Sequence, residues 1–188
     1  HDAAVYSFAK AAEIDPQCAM AWWGIAYAYG VDVNNPNVSE PEATLAAGAI
    51  QEALRLSERA TPSEKALIQA TAHRAISPLP SDRMAIDQAY SDALGRAWAK
   101  NRQDPDMGTL YAESLMNMQR WNYWTSDGEP VEQTPLILDT LEDVLKNNPL
   151  HPGANHFYIH AVEASKHPQK GVPSAERLTD MIPGSGHL

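Results

Sequence analysis

The chain has 188 residues, 44% of them hydrophobic, and a formal net charge of −10, enough apolar material for one ordinary core or a run of about four or five helical repeats. The acidic balance excludes a general nucleic-acid binder, which needs clustered Lys and Arg, and also excludes adsorption to an anionic membrane surface. No apolar run approaches the ~18 residues that a membrane span needs, so no insertion is expected, and a basic or metal-bearing partner suits the charge better.

The chain opens at His1, inside what reads as a helix over 2–14, and is therefore read as a processed product or an excerpt of a longer chain, with no localisation legible. Asp15-Pro16 closes that helix, and a second follows over 18–30. Cys18 is the only cysteine, so no intrachain disulfide or CxxC site can form, and its Ala-rich setting predicts a small buried core residue. A loop over 31–39 carries Asn34-Asn35-Pro36-Asn37. Helices over 41–60 and 62–76 come next. Their starts are marked by Ser39-x-x-Glu42 and Thr61-x-x-Glu64, the spacing of a capping box, with Pro62 at the first helical position.

A helix over 82–103 is closed by Asp104-Pro105, and another runs over 107–119. The loop 121–133 contains Asp127-Gly128. Both long loops are predicted to lie on the surface. Thr134-Pro135 reads as an N-cap and first-turn proline for a helix over 134–147, which Asn148-Pro149 closes. The last predicted helices cover 152–166 and 173–182. No alternating Val/Ile run bounded by hairpin residues occurs, so the fold class is all-α, about nine helices and no sheet.

The spacing Ala4, Phe8, Ala11, Pro16, followed by Trp22, Ile25, Ala26 and Tyr29, resembles the junction between two tetratricopeptide repeats. The physical logic is local. A small residue lets two helix backbones approach, and a large ring from the neighbour fills the space. The pattern recurs more loosely as Ala46, Ile50, Ala53; as Ala93, Ala97, Pro105, Tyr111; and as Ile137, Leu141, Val144, Pro149, at intervals of ~44 residues against the family's usual 34. The stretches Cys18–Gly24, His151-Pro-Gly-Ala-Asn-His156 and Gly184-Ser-Gly-His-Leu188 resemble a bacterial subgroup of that family, in which the Gly-His-Leu segment begins a longer His-rich stretch.

The resemblance implies an α-solenoid of antiparallel helix pairs, a single domain over 1–188 belonging to a longer stack. It implies a concave groove lined by the first helix of each pair. The family's groove positions fall on Met20, Trp23, Tyr27 and Gly30, expected to hold a protein or peptide partner.

Five of the seven histidines lie from His151 onward. On a helix starting at Pro152, His156 and His160 are one turn apart and Glu163 follows on the same face. Two imidazoles at that spacing can reach one metal ion. Phe157 stands where a zincin has its glutamate, so peptidase chemistry is not expected. The repeat register turns His156, His160 and Glu163 toward the groove and brings His187 to a comparable position. These four residues are the candidate metal ligands, with Zn, Cu or Fe compatible with the donor set. Tyr158, Ile159 and Val162 take the packing face.

Trp121, Tyr123 and Trp124 form an aromatic cluster, with one Trp expected to pack over helix ends and another to stay partly exposed. Met84, Met107, Met116 and Met118 read as core filler, and His73 and His167 as structural or exposed. No phosphate-binding glycine motif or nucleophile elbow occurs, and Gly184-Ser-Gly reads as a linker, so no reaction is read from the sequence. The leading expectation is a binding scaffold, and the alternative is a metal-binding protein or metalloenzyme.

Overall fold

The computed structural model describes residues 2–181. Nine α-helices occur among them: α1 Asp2–Ile14, α2 Ala19–Ala28, α3 Glu40–Leu56, α4 Pro62–Arg74, α5 Met84–Lys100, α6 Pro105–Met118, α7 Thr134–Asn147, α8 Pro152–Val162 and α9 Val172–Met181. Two short 3-10 turns, Ser57–Arg59 and Pro168–Gly171, adjoin α3 and α9. No strand is present among the described residues, and the only β-type pairing described is an isolated bridge between Trp124 and Pro130. The all-α expectation holds at this level. No helix among the described residues is long and apolar enough to cross a membrane.

The chain divides into two compact units, one ending at Ala97 and one starting at Trp98. In the first, α1 packs on α2, α2 on α3 and α4, and α3 on α4. Its core is built from small residues, Ala19, Ala26, Ala46, Ala49 and Ala53, around Ile50 and Ile68. Alanines let backbones approach, and Gly24 does so most closely: a Cβ there would overlap the Phe8 ring of α1. The small residue that faces Phe8 is thus Gly24, which lies outside the Trp22, Ile25, Ala26 and Tyr29 spacing read from the sequence.

Both capping boxes form. The Ser39 hydroxyl accepts from the Glu42 N–H while the Glu42 carboxylate accepts from the Ser39 N–H, and Thr61 and Glu64 repeat the exchange. Each satisfies two donors that the helix leaves open. Thr61→Ala is therefore expected to lower stability by about 1 kcal/mol in a urea unfolding series. An unchanged midpoint would show that the box is idle.

The loop 31–39 is less superficial than predicted. Val31 and Val33 are buried, and the Asp32 carboxylate accepts from the backbone N–H groups of Asn34 and Asn35 at 2.7 and 3.0 Å, which folds the Asn-rich segment back on itself. Beneath it, the buried Arg74 donates to the Val31 carbonyl at 3.3 Å, with the rings of Tyr27 and Tyr90 centred 5.1 and 4.1 Å from its guanidinium carbon.

In the second unit α6 packs on α7 and α8, α7 on α8, and α8 on α9. Trp98, Met107, Met116, Ile137, Leu141 and Val144 are almost fully enclosed. Met107 and Met116 fill the core as predicted, whereas Met84 and Met118 are exposed, since they fall on the outer faces of their helices. Cys18 is only half-buried because it is the N-cap of α2 rather than an interior position.

Two other boundaries differ from the sequence reading. Asp104 caps α6 by accepting from the Met107 N–H at 3.0 Å, so that helix starts at Pro105. Thr134 lies inside α7, because its hydroxyl donates to the Tyr123 carbonyl at 2.7 Å instead of capping.

Candidate functional site

The residues with the most chemistry gather on the last turns of α8 and on the loop between α6 and α7. Both belong to the second unit. The start of α8 is set by His151, whose Nδ1 accepts from the Ala154 N–H at 3.0 Å and so serves as the N-cap. Nδ1 must then carry its lone pair, which leaves the proton on Nε2, 3.0 Å from Asp106 Oδ1. That bond holds the Asp106 carboxyl below its ordinary range. On the packing side, Tyr158 and Val162 are buried and Ile159 is half-buried, as the periodicity required. The Tyr158 hydroxyl donates to Glu142 at 2.8 Å, and burial, followed by that bond, raises its pKa well above the ordinary tyrosine range.

His156 and His160 stand one turn apart, with ring centroids 4.6 Å from each other and planes at 89°. His160 Nδ1 is 2.9 Å from Glu163 Oε1. With Glu163 ionised, Nδ1–H donates to its carboxylate. The His160 side chain is mostly enclosed, while that of Glu163 is half exposed. The three predicted residues therefore do meet on one face. They meet as a hydrogen-bonded series, in which Glu163 backs His160. Among the described residues no three His, Cys, Asp or Glu side chains are placed to hold one metal ion. His187, like His1, lies outside the described residues.

The α6–α7 loop brings the aromatic cluster to this face. Trp124 donates its indole N–H to the Ala161 carbonyl at 2.7 Å, satisfying one of the open carbonyls at the end of α8. Lys166 reaches Glu129 at 2.6 Å and lies against Gly128, whose φ of 73° glycine adopts freely within the loop. Tyr123 is buried beneath, and Val131 N–H donates to its carbonyl at 2.9 Å. Burial pushes the Tyr123 phenol's pKa up, opposed by smaller lowering effects from the Trp121 backbone and the Arg120 charge.

With these neighbours fixed, Trp121 is left half exposed. Its ring is centred 5.1 Å from that of His160 at an 89° angle, and its backbone is at φ 58°. A bulky residue in the left-handed region costs energy that the surroundings must over-determine, and such outliers cluster at functional sites. Below this patch α6 carries a fully buried carboxylate, Glu113, which accepts from the Asn117 amide at 2.6 Å.

The groove candidates read from the sequence lie on and just after α2, in the first unit. Trp23 stacks on Tyr27 at 5.2 Å and donates its indole N–H to Thr71 of α4 at 2.8 Å. Met20 is part-buried against the alanine-rich core, and Gly30 lies beside Arg74. His73 and His167 are exposed.

Sequence reasoning missed the Trp121 backbone conformation, the burial of Glu113 and the His151–Asp106 pair. Only the last had a usable signal, a polar residue directly before Pro152 in the N-cap position. No protein-family model, curated protein or solved structure matches the chain.

Proposed function

We propose that this chain is a helical-repeat binding scaffold of the tetratricopeptide kind, which engages a basic segment of a protein partner through the patch centred on Trp121. Support for a stacked-repeat reading comes from the packing order. In the first unit α1 packs on α2, α2 on α3 and α3 on α4, and in the second α6 packs on α7, α7 on α8 and α8 on α9; α2 with α4 and α6 with α8 also touch, which is in keeping with stacked helix pairs.

The observation that carries the binding reading is the half-exposed Trp121 ring on a left-handed backbone. Tryptophan supplies large contact area at low entropic cost and is enriched at interface hot spots. Trp23, the leading candidate from the groove register, already spends its indole N–H on Thr71 and one ring face on Tyr27. Trp121 is therefore the better anchor. The basic character of the partner follows from the net charge of −10 and from the Glu163 carboxylate on the same face, since a Lys or Arg can lie over an indole while pairing with a carboxylate.

The test uses three fluorescein-labelled model peptides of equal length, basic, neutral and acidic, followed by anisotropy. The basic peptide should bind tightest and weaken with salt. Trp121→Ala should reduce its affinity about tenfold, or ~1.4 kcal/mol, with helical content unchanged by circular dichroism. Equal binding by the Trp121→Ala protein would overturn the assignment of the anchor.

A further inference from the structure

We propose that the open cleft at the junction of α7 and α8 docks a short extended segment of a partner protein, one that carries an apolar side chain beside a lysine or arginine. The cleft lies at the start of α8, the opposite end of that helix from the Trp121 patch. The inference therefore goes beyond the Trp121 reading and does not depend on it.

The junction is built rigidly. Asn148 closes α7 by donating its N–H to the Val144 carbonyl at 2.8 Å, and Pro149 cannot continue the helix. The Asn148 carbonyl then accepts from the His151 N–H at 3.0 Å, and His151 caps α8. Beneath the turn, the fully buried Asn155 donates its amide to the carbonyls of Pro149 and His151 at 2.9 and 2.8 Å. Its own oxygen accepts from Arg177 of α9 at 3.3 Å. A turn fixed by these bonds and by two prolines has little freedom left to lose on binding.

Outward, the same turn presents apolar surface and open polar groups. Leu150 is 68% exposed, although the backbone on both sides of it is held. With Pro105, Pro149 and Pro152 it lines a cleft of about 470 Å³, within the size range of ligand sites. Asn147 and Asn148 line it too. The Asn147 amide donates to the Asp143 carbonyl at 3.0 Å, which leaves its oxygen to accept. The Asn148 side chain makes no hydrogen bond among the described residues. A carboxamide offers both a donor and an acceptor, the complement of a peptide group, so Asn148 can hold the backbone of an extended chain.

Charge selects the residue beside the apolar one. Asp106 stands at the rim, with Oδ1 taken by His151 at 3.0 Å and its side chain 75% exposed. The bond to His151 keeps this carboxyl ionised at neutral pH. A partner's Lys or Arg can pair with the outer oxygen, and the net charge of −10 favours its approach.

The experiment follows the whole nitrogen-15-labelled chain by NMR while a capped peptide, Gly-Leu-Gly-Lys-Gly, is added. Saturable shifts are expected at Leu150, at His151 and at the Asn148 side-chain amide. The same shifts should persist in Trp121→Ala, which separates this site from the Trp121 patch. Leu150→Ser, at an exposed position, should weaken binding about tenfold, and Asn148→Ala about fivefold. Asp106→Asn can still accept from His151, and it should erase the preference for the Lys peptide over one with Gln in its place. Absence of shifts at Leu150 and Asn148 overturns the proposal. So does full affinity in Leu150→Ser, or equal binding of a peptide with Glu in place of Lys.

Discussion

Trp98→Ala should lower the stability of the protein by about 3–5 kcal/mol, the range for removing a fully buried large aromatic side chain. Trp98 is 1% exposed and, near the end of α5, packs against the first turn of α6 where Gly108 makes room for it. The guanidinium of Arg102 lies 5.0 Å from its ring centroid, so part of the ring's worth is electrostatic. Domains of this size are stable by only about 5–15 kcal/mol in all. The variant should therefore unfold at a much lower urea concentration, with a slope changed little if the transition stays cooperative. A shift equivalent to less than about 1 kcal/mol would mean that the neighbouring helices close over the space, against the close packing described.

Gly108→Ala is expected to destabilise, although glycine to alanine inside a helix usually stabilises by about 1 kcal/mol. A Cβ built at Gly108 would stand 2.5 Å from a methyl of Val144 in α7 and 3.0 Å from the Trp98 ring. Both neighbours are almost fully buried, so neither can move aside freely. Overpacking of this kind costs about 1–3 kcal/mol and should exceed the propensity gain. Gly48→Ala supplies the opposite sign: Gly48 lies on α3, and a Cβ there would meet nothing within 4 Å. The pair of urea midpoints should move in opposite directions, the Gly48 variant up and the Gly108 variant down. Two upward shifts would show that α6 and α7 are less closely apposed than described.

What the sequence revealed follows from the range of the interactions involved. The capping boxes at Ser39 and Thr61 depend on residues three apart and were legible directly. So was the presence of a loop around Asp127-Gly128. The face shared by His156, His160 and Glu163 followed from helical periodicity alone.

The outcome differed where a partner distant in sequence takes over a group. Thr134 has the composition of an N-cap, yet its hydroxyl is claimed by the Tyr123 carbonyl, eleven residues earlier. Tyr123 sits in a segment that reads as loop, yet is buried. Met84 and Met118 are apolar but fall on outward faces, which methionine content cannot distinguish from inward ones. The left-handed backbone of Trp121 has no signature, since tryptophan is among the residues least expected there.

The bond from the Trp124 indole to the Ala161 carbonyl changes the mechanics of a connection that would otherwise be slack. The loop is tied at two points, to the final turn of α8 by Trp124 and to the chain just beyond it by the Lys166–Glu129 ion pair. Local opening of the loop therefore requires both ties to break.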